Sequence, residues 1–183
     1  MKILTGNLRG RVITYKPNPR LRPTSDKSRK AIFDMLQGQM PEKTVLDLFS
    51  GTGAVGFEAL SQGASFVTFV ESEKVQGELI KNNLLKLDLV QKSTVIIGDA
   101  LSILAKLSRE EKEFDFIFMD PPYETGLGER TLEVLAKSAI LKKDTLIILE
   151  CRSSKWPPKV EQNFTCLKNK VHGDTRLLIY RLT

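Results

Sequence analysis

The sequence predicts an α/β protein built on a mostly parallel, seven-stranded sheet with an antiparallel hairpin at its C-terminal edge. Three observations carry this expectation. From Lys43 onward short apolar runs alternate with helical segments, a glycine-rich turn follows the first run, and the chain ends in two strand-like runs joined by a Gly-Asp turn. Strands buried on both faces and separated by helices imply parallel pairing with right-handed crossovers.

Taken in order, residues 1–16 read as a small β-hairpin, with runs at 2–5 and 11–15 around a turn at 6–10. Pro17, Pro19 and Pro23 then forbid regular structure and stiffen a basic loop. Thr24 or Ser25 can cap a helix with Asp26 in its first turn and an apolar stripe of Ala31, Ile32, Met35 and Leu36. Parallel strands are expected at 45–49, 66–71, 94–97, 114–119 and 145–149. The helices between them should run to about residue 62 and over 74–87, 101–107 and 130–138. Trp156-Pro157-Pro158 breaks the chain, and runs 164–171 and 176–181 flank His172-Gly173-Asp174-Thr175 as the closing hairpin. The organisation is a basic extension over 1–23 and the α/β domain over 24–183.

With 183 residues and 20.6 kDa, the chain can bury roughly 70% of its unfolded surface without a staple. Its 41% hydrophobic and 27% charged residues exclude disorder, collagen-like repeats and a coiled coil. The longest charge-free run, 59–70, has 12 residues, against the roughly 20 a membrane span needs. No apolar stretch after Met1 resembles a secretory signal. Cys151 and Cys166 suit neither a disulfide framework nor a zinc site and are expected as small buried residues. A cytoplasmic monomer with no metal and no membrane partner is the expectation.

Charge is unevenly placed. Residues 1–30 carry nine basic side chains against Asp26 alone, +8, while the other 153 residues sum to −2. A concentrated basic arm on a near-neutral body suggests a polyanionic partner, most simply nucleic acid, with a solvated face as the plain alternative. Arg9, Arg11, Arg20 and Arg22 stand where that charge is densest and are the candidates for phosphate contacts.

Gly51-Thr52-Gly53-Ala54-Val55-Gly56 matches the dinucleotide fingerprint, with Glu71 at the end of the next strand to grip ribose hydroxyls. S-adenosylmethionine can use the same place and the same acid, and three features favour it. Asp47, four residues before Gly51, would serve a methionine ammonium but not a pyrophosphate. Asp99-Ala100, after the third strand, can accept from an adenine amine. The fourth strand delivers Asp120-Pro121-Pro122-Tyr123, which hydride transfer does not need.

That last motif suits methylation of a planar amine, whose lone pair is delocalised and poorly nucleophilic. The Asp120 carboxylate and the Pro121 carbonyl can accept both N–H bonds and favour a pyramidal nitrogen. Tyr123 can stack on a flipped-out ring. The prolines keep the turn rigid. No metal is required, because alignment and a preorganised electrostatic site carry the rate.

The chain resembles the bacterial small-subunit (16S) ribosomal RNA guanine-N2 methyltransferases of the guanine-966 type. The resemblance rests on Thr5-Gly6-Asn7-Leu8-Arg9-Gly10-Arg11, Arg22-Pro23-Thr24-Ser25-Asp26, residues 46–54, Glu58-Ala59-Leu60-Ser61-Gln62-Gly63-Ala64 and Asp120-Pro121-Pro122-Tyr123. It implies a Rossmann-like class I methyltransferase using S-adenosylmethionine, with Asp120 and Tyr123 at the base and the basic arm on 16S rRNA. It also implies an assembled or assembling 30S particle as substrate. Lys27, Lys30 and Gln62 depart from the family pattern without touching the proposed chemistry. The rivals are a DNA adenine-N6 or cytosine-N4 methyltransferase, a protein glutamine methyltransferase, and an idle RNA-binding module on the same fold. The first usually needs a target-recognition domain, the second suits a +8 arm poorly, and intact Asp120 and Tyr123 argue against the third.

Four residues have no assigned role at this level. His172 reads as a surface turn residue, Trp156 as packing over the sheet edge, Asn83 as a polar residue on a stripe with Val75, Leu79 and Leu87, and Thr24 as a helix cap beside the basic loop.

Overall fold

The computed structural model describes residues 1–17, 24–122, 126–154 and 163–183. Within them the elements are α1 (Asp26–Met35), β1 (Thr44–Asp47), α2 (Ala54–Ser61), β2 (Phe66–Glu71), α3 (Lys74–Lys86), β3 (Ser93–Ile97), α4 (Ala100–Arg109), β4 (Phe114–Met119), α5 (Leu127–Leu135), β5 (Leu141–Arg152), β6 (Phe164–His172) and β7 (Thr175–Leu182). Seven strands form one sheet in the order β3-β2-β1-β4-β5-β7-β6. The first five run parallel; β7 joins β5 antiparallel and β6 closes the edge. The expected α/β sheet with its antiparallel C-terminal hairpin is therefore present.

The alternation of apolar side chains explains the layers. Val45, Phe116, Phe118 and Ile148 face one side of the sheet and pack with Ile32 and Phe33 of α1, Phe57 of α2 and Ile80 of α3. Leu46, Ile117, Met119, Ile147 and Leu149 face the other, against Leu104 and Leu107 of α4 and Leu132 and Leu135 of α5. Strands covered by helices on both faces must be apolar throughout, which is why β4 reads as a continuous run. The strand order reverses between β1 and β4, and at such a switch point the two following loops diverge and leave a crevice.

Several elements differ from expectation in detail. The first strand stops at Asp47, because residues 48–50 already turn. The N-terminal hairpin reduces to a single antiparallel bridge, Lys2 with Val12, flanked by bonds such as Ile3 N–H to the Arg11 carbonyl (3.0 Å). The inward face of α3 is turned from the expected Val75–Leu79–Asn83–Leu87 stripe: Asn83 is buried and Leu87 packs against the core, but Val75 is exposed, and Gln76, Ile80 and Leu84 are buried. Cys166 is exposed on the edge strand β6, which has no further strand to cover it among the described residues, and Cys151 is half-buried. His172 ends β6, paired with Thr175, so the turn itself is only Gly173-Asp174. Trp156 lies outside the described residues.

The first 16 residues are fastened by side chains rather than by a sheet. Glu58 of α2 accepts the Leu4 N–H (3.0 Å), the Thr5 N–H (2.7 Å) and the Thr5 hydroxyl. Asn83 both accepts from the Thr14 N–H (3.0 Å) and donates to the Thr14 carbonyl (2.7 Å), replacing a neighbouring strand. Gln76 does the same at Lys16. Gly6 has φ +73°, and a Cβ there would lie 2.0 Å from the Ser61 carbonyl oxygen. Only glycine lets the Thr5–Leu8 turn sit on the end of α2. Ile3 and Ile13 are buried in the same cluster as α1 and α2.

Candidate active site

The carboxyl ends of the parallel strands open into one cavity of about 790 Å³. Its walls come from Asp47 and the turn 48–52, from Glu71–Glu73 after β2, from Gly98–Ala100 after β3, from Asp120–Pro122 after β4 and from Glu150 in β5. Thr24, Ile32 and Leu127 close its sides. Asp47, Gly51, Glu71, Asp99, Ala100, Asp120 and Pro121, separated by up to 74 positions in the chain, thus share one space. Gly53 lies just outside the lining, as the left-handed residue (φ 76°) that opens α2. Tyr123, Arg20 and Arg22 lie outside the described residues. Arg9 and Arg11 are exposed on the N-terminal turn, away from the cavity lining.

The glycine turn has the architecture its spacing promised. Gly51 and Gly53 both adopt positive φ, 52° and 76°. Gly56 permits close packing of helix on strand: a Cβ there would fall 2.2 Å from the Phe69 ring. Two carboxylates brace this turn in ways the sequence did not disclose. Asp47 Oδ2 accepts the Gly56 N–H (3.0 Å), tying β1 to the start of α2. Glu71 accepts the Gly51 N–H (2.7 Å) and the Glu73 N–H (2.7 Å), joining the turn to the end of β2.

Electrostatics separate these groups. Burial pushes the Asp47 carboxyl up to about 7, the Gly56 bond opposes this, and repulsion from Glu71 and Asp120 adds to it. Glu71 is also raised, chiefly by burial and against its backbone bonds. Asp99 goes the other way. It caps α4, accepting the Ser102 N–H and hydroxyl (both 2.9 Å), and those bonds hold it below the usual carboxylate range. The Thr24 hydroxyl donates to Asp120 Oδ2 (3.2 Å), so the residue after the basic loop orients the first residue of the Asp-Pro-Pro motif. Pro121 is buried and Pro122 exposed.

Sequence reasoning missed Glu150, which has 6% exposure and lines the cavity beside Asp120 and Pro121. An acid at the end of a predicted strand was its only signal. It also counted Arg29 with the basic arm. Arg29 is fully buried, 3.4 Å from Glu58 and 3.0 Å from Asp26, and donates to the Lys2 carbonyl (2.8 Å). Its charge serves the interior, not a partner.

A family profile described as "Conserved hypothetical protein 95" matches residues 1–181. The chain belongs to that family. Among its relatives, Ribosomal RNA small subunit methyltransferase D of Buchnera aphidicola subsp. Acyrthosiphon pisum is 34% identical over 178 residues, 97% of this chain and 91% of the relative. The solved structure of yhhF from Escherichia coli matches with a TM-score of 0.86 at 31% identity, covering 100% of this chain and 97% of that one. A more distant methyltransferase, solved in complex with SAH, shares the fold at a TM-score of 0.67 and 19% identity, over 84% of this chain and 48% of that one. In this chain the Thr5–Arg11 turn and the Glu58–Ala64 segment are joined physically: the turn's backbone rests on the Glu58 and Ser61 side chains.

Proposed function

We propose that the protein transfers a methyl group from S-adenosylmethionine to the exocyclic N2 of a guanine, of the 966 type, in 16S rRNA of the 30S particle. The observation that carries this reading is the single cavity in which cofactor-type carboxylates and the Asp120-Pro121 turn meet. S-adenosylmethionine carries cationic ammonium and sulfonium groups, two ribose hydroxyls and an adenine amine. The two cations call for negative charge and the hydroxyls and amine for hydrogen-bond acceptors, and Asp47, Glu71, Asp99 and Asp120 can supply both.

In this reading Asp47 faces the methionine end, Glu71 holds the ribose and Asp99 with Ala100 holds the adenine. Gly51 and Gly53 let the backbone come close. When bound, the cofactor supplies an electrophilic methyl on a good leaving group. The Asp120 carboxylate and the Pro121 carbonyl would accept hydrogen bonds from the two N2–H groups and direct the nitrogen lone pair toward the methyl group, and Asp120 would take the one proton that the methylated nitrogen sheds. Thr24 is a positioning residue for Asp120 through its 3.2 Å bond. Tyr123 stacks on the flipped base. Arg9, Arg11, Arg20 and Arg22 contact phosphates, and the protein acts as a cytoplasmic monomer. Among the described residues no helix is long and apolar enough to cross a membrane.

The test is methyl transfer from labelled cofactor to 30S particles taken from cells lacking this protein, followed by nucleoside digestion. Naked rRNA, duplex DNA and total protein run beside them. N2-methylguanosine from the 30S sample alone is expected. Label in DNA or protein overturns the substrate, and tight cofactor binding with no transfer anywhere overturns the activity.

A further inference from the structure

Asp120 and Pro121 satisfy the amine of a target base but do not distinguish one amine-bearing ring from another. Beside them stands a carboxylate with no part in that scheme. Strand β5 runs parallel to β4, with Phe118 opposite Ile148 and Met119 opposite Leu149. One position further along lie Asp120, just past the end of β4, and Glu150 in β5, both in the cavity lining. Side chains two apart share a face, so Glu150 projects on the same side as Ile148, which lines the cavity together with Phe118. Neighbouring strands are about 4.8 Å apart. Two carboxylates from the ends of adjoining elements thus line one cavity, Glu150 at 6% exposure.

We infer that Glu150 determines base specificity by accepting the N1–H of the target guanine, an inference that rests on the proposed guanine-N2 reading. Guanine presents two adjacent donors on one edge, N1–H and the N2 amine, and two neighbouring acceptors match that spacing. Adenine presents a lone pair at N1, as does 2-aminopurine, and a carboxylate there meets acceptor with acceptor. A site that hydrogen-bonds a substrate N–H rejects the analogue lacking it far more strongly than shape alone can. Glu150 is anchored on a central strand rather than a loop, which gives the position the rigidity that discrimination needs.

The decisive probe is 2-aminopurine, which keeps the exocyclic amine but has a lone pair at N1 and a hydrogen where guanine has its C6 carbonyl. It is therefore the response to Glu150→Gln, and not the wild-type preference alone, that reads the N1 contact. Reconstituted 30S particles carrying guanine or 2-aminopurine at the modified position are methylated by the wild type and by Glu150→Gln, a near-isosteric change whose amide donates to N1. The wild type should prefer guanine by about 100-fold or more, and Glu150→Gln should bring the ratio to within about tenfold, chiefly by gaining on 2-aminopurine. The affinity for S-adenosylmethionine, read by calorimetry without RNA, should stay within about twofold. A variant that loses activity equally on both bases, or changes neither, overturns the role of Glu150 while N2-methylguanosine from the wild type leaves the proposed function standing. Wild-type product on adenine N6 overturns both.

Discussion

Glu58 and Asp47 lie almost equally deep, at 1% and 4% exposure, and are surrounded in opposite ways. Glu58 has the Arg29 guanidinium at 3.4 Å and three donors from residues 4 and 5. Asp47 has one backbone N–H and two neighbouring carboxylates, Glu71 and Asp120. A buried charge must be paired and hydrogen-bonded or it shifts toward neutrality. Glu58 finds its counter-ion within the protein and becomes a structural anchor. Asp47 has no such cation among the described residues, so its surroundings favour a cationic ligand. The difference separates scaffold from site without reference to any motif.

Removing Glu58 should break that contrast most severely. Glu58→Ala leaves Arg29 buried with Asp26, the Lys2 carbonyl and the Met1 sulfur, and we expect a loss of about 3–5 kcal/mol in thermal or urea unfolding, large against the stability of a domain this size. Amide exchange at Leu4 and Thr5 should accelerate. Replacing Arg29 and Glu58 together by methionine should recover only the part of the loss that comes from the unpaired Arg29 charge, because the Leu4 and Thr5 donors still lack their acceptor. If the double variant is as unstable as the single one, the hydrogen bonds to residues 4 and 5 rather than the ion pair carry the loss.

Asp47→Asn should act in the reverse sense. The folded carboxyl sits at about 7 against an ordinary 3.8, so between those values the folded state holds a proton that the unfolded state has released. Stability therefore falls as pH rises through this window and levels off above it. The asparagine can still accept the Gly56 N–H and carries no charge. It should be more stable than the wild type by about 1–3 kcal/mol at pH 8 and equal to it near pH 4, read from unfolding curves across pH. The same change should weaken S-adenosylmethionine about 10- to 100-fold. In the wild type that affinity should climb with pH up to about 7, with a proton released on binding, seen calorimetrically in two buffers of different ionisation enthalpy.

How legible each region was follows from the same physics. The sheet, the glycine turn and the Asp-Pro-Pro turn were readable because apolar periodicity and glycine placement are local signals. Gly56 was part of the fingerprint, and its packing on Phe69 accounts for the third glycine of that pattern. The anchors were not readable. Gln76 and Asn83 have the composition of a solvent-facing helix, and only the docked backbone of Thr14 and Lys16 makes burying them favourable. That turned the buried face of α3 by about one residue from the expected stripe, with Asn83 common to both. Arg29 was hidden for the same reason, since its partner Glu58 lies 29 positions away in a different element. Long-range polar pairing leaves no periodic trace, so Glu150, whose importance comes from the neighbouring strand, was passed over too.

Asn83→Ala tests the anchor of the arm at its far end. Loss of both bonds to Thr14 should cost about 1–3 kcal/mol locally, raise amide exchange at Thr14, and increase KM for 30S particles while the cofactor affinity stays within about twofold. Equal losses in cofactor binding would mean that α3 carries the damage to the site directly.

The smallest effect should come from the exposed arginines, and its form matters more than its size. Arg9 and Arg11 project from a turn whose backbone is held at Glu58 and Ser61, so replacing them removes charge without loosening the anchor. Each arginine–phosphate pair removed should reduce the slope of log affinity against log salt by about 0.7–0.9 and weaken 30S binding modestly at low salt, with unfolding curves unchanged. Glu58→Ala, by contrast, should weaken 30S binding while leaving that slope closer to the wild type, because the arginines are still present but no longer held in one place. If Arg9→Ala and Arg11→Ala bind like the wild type at every salt concentration, the anchored turn serves folding alone and the polyanion is held elsewhere.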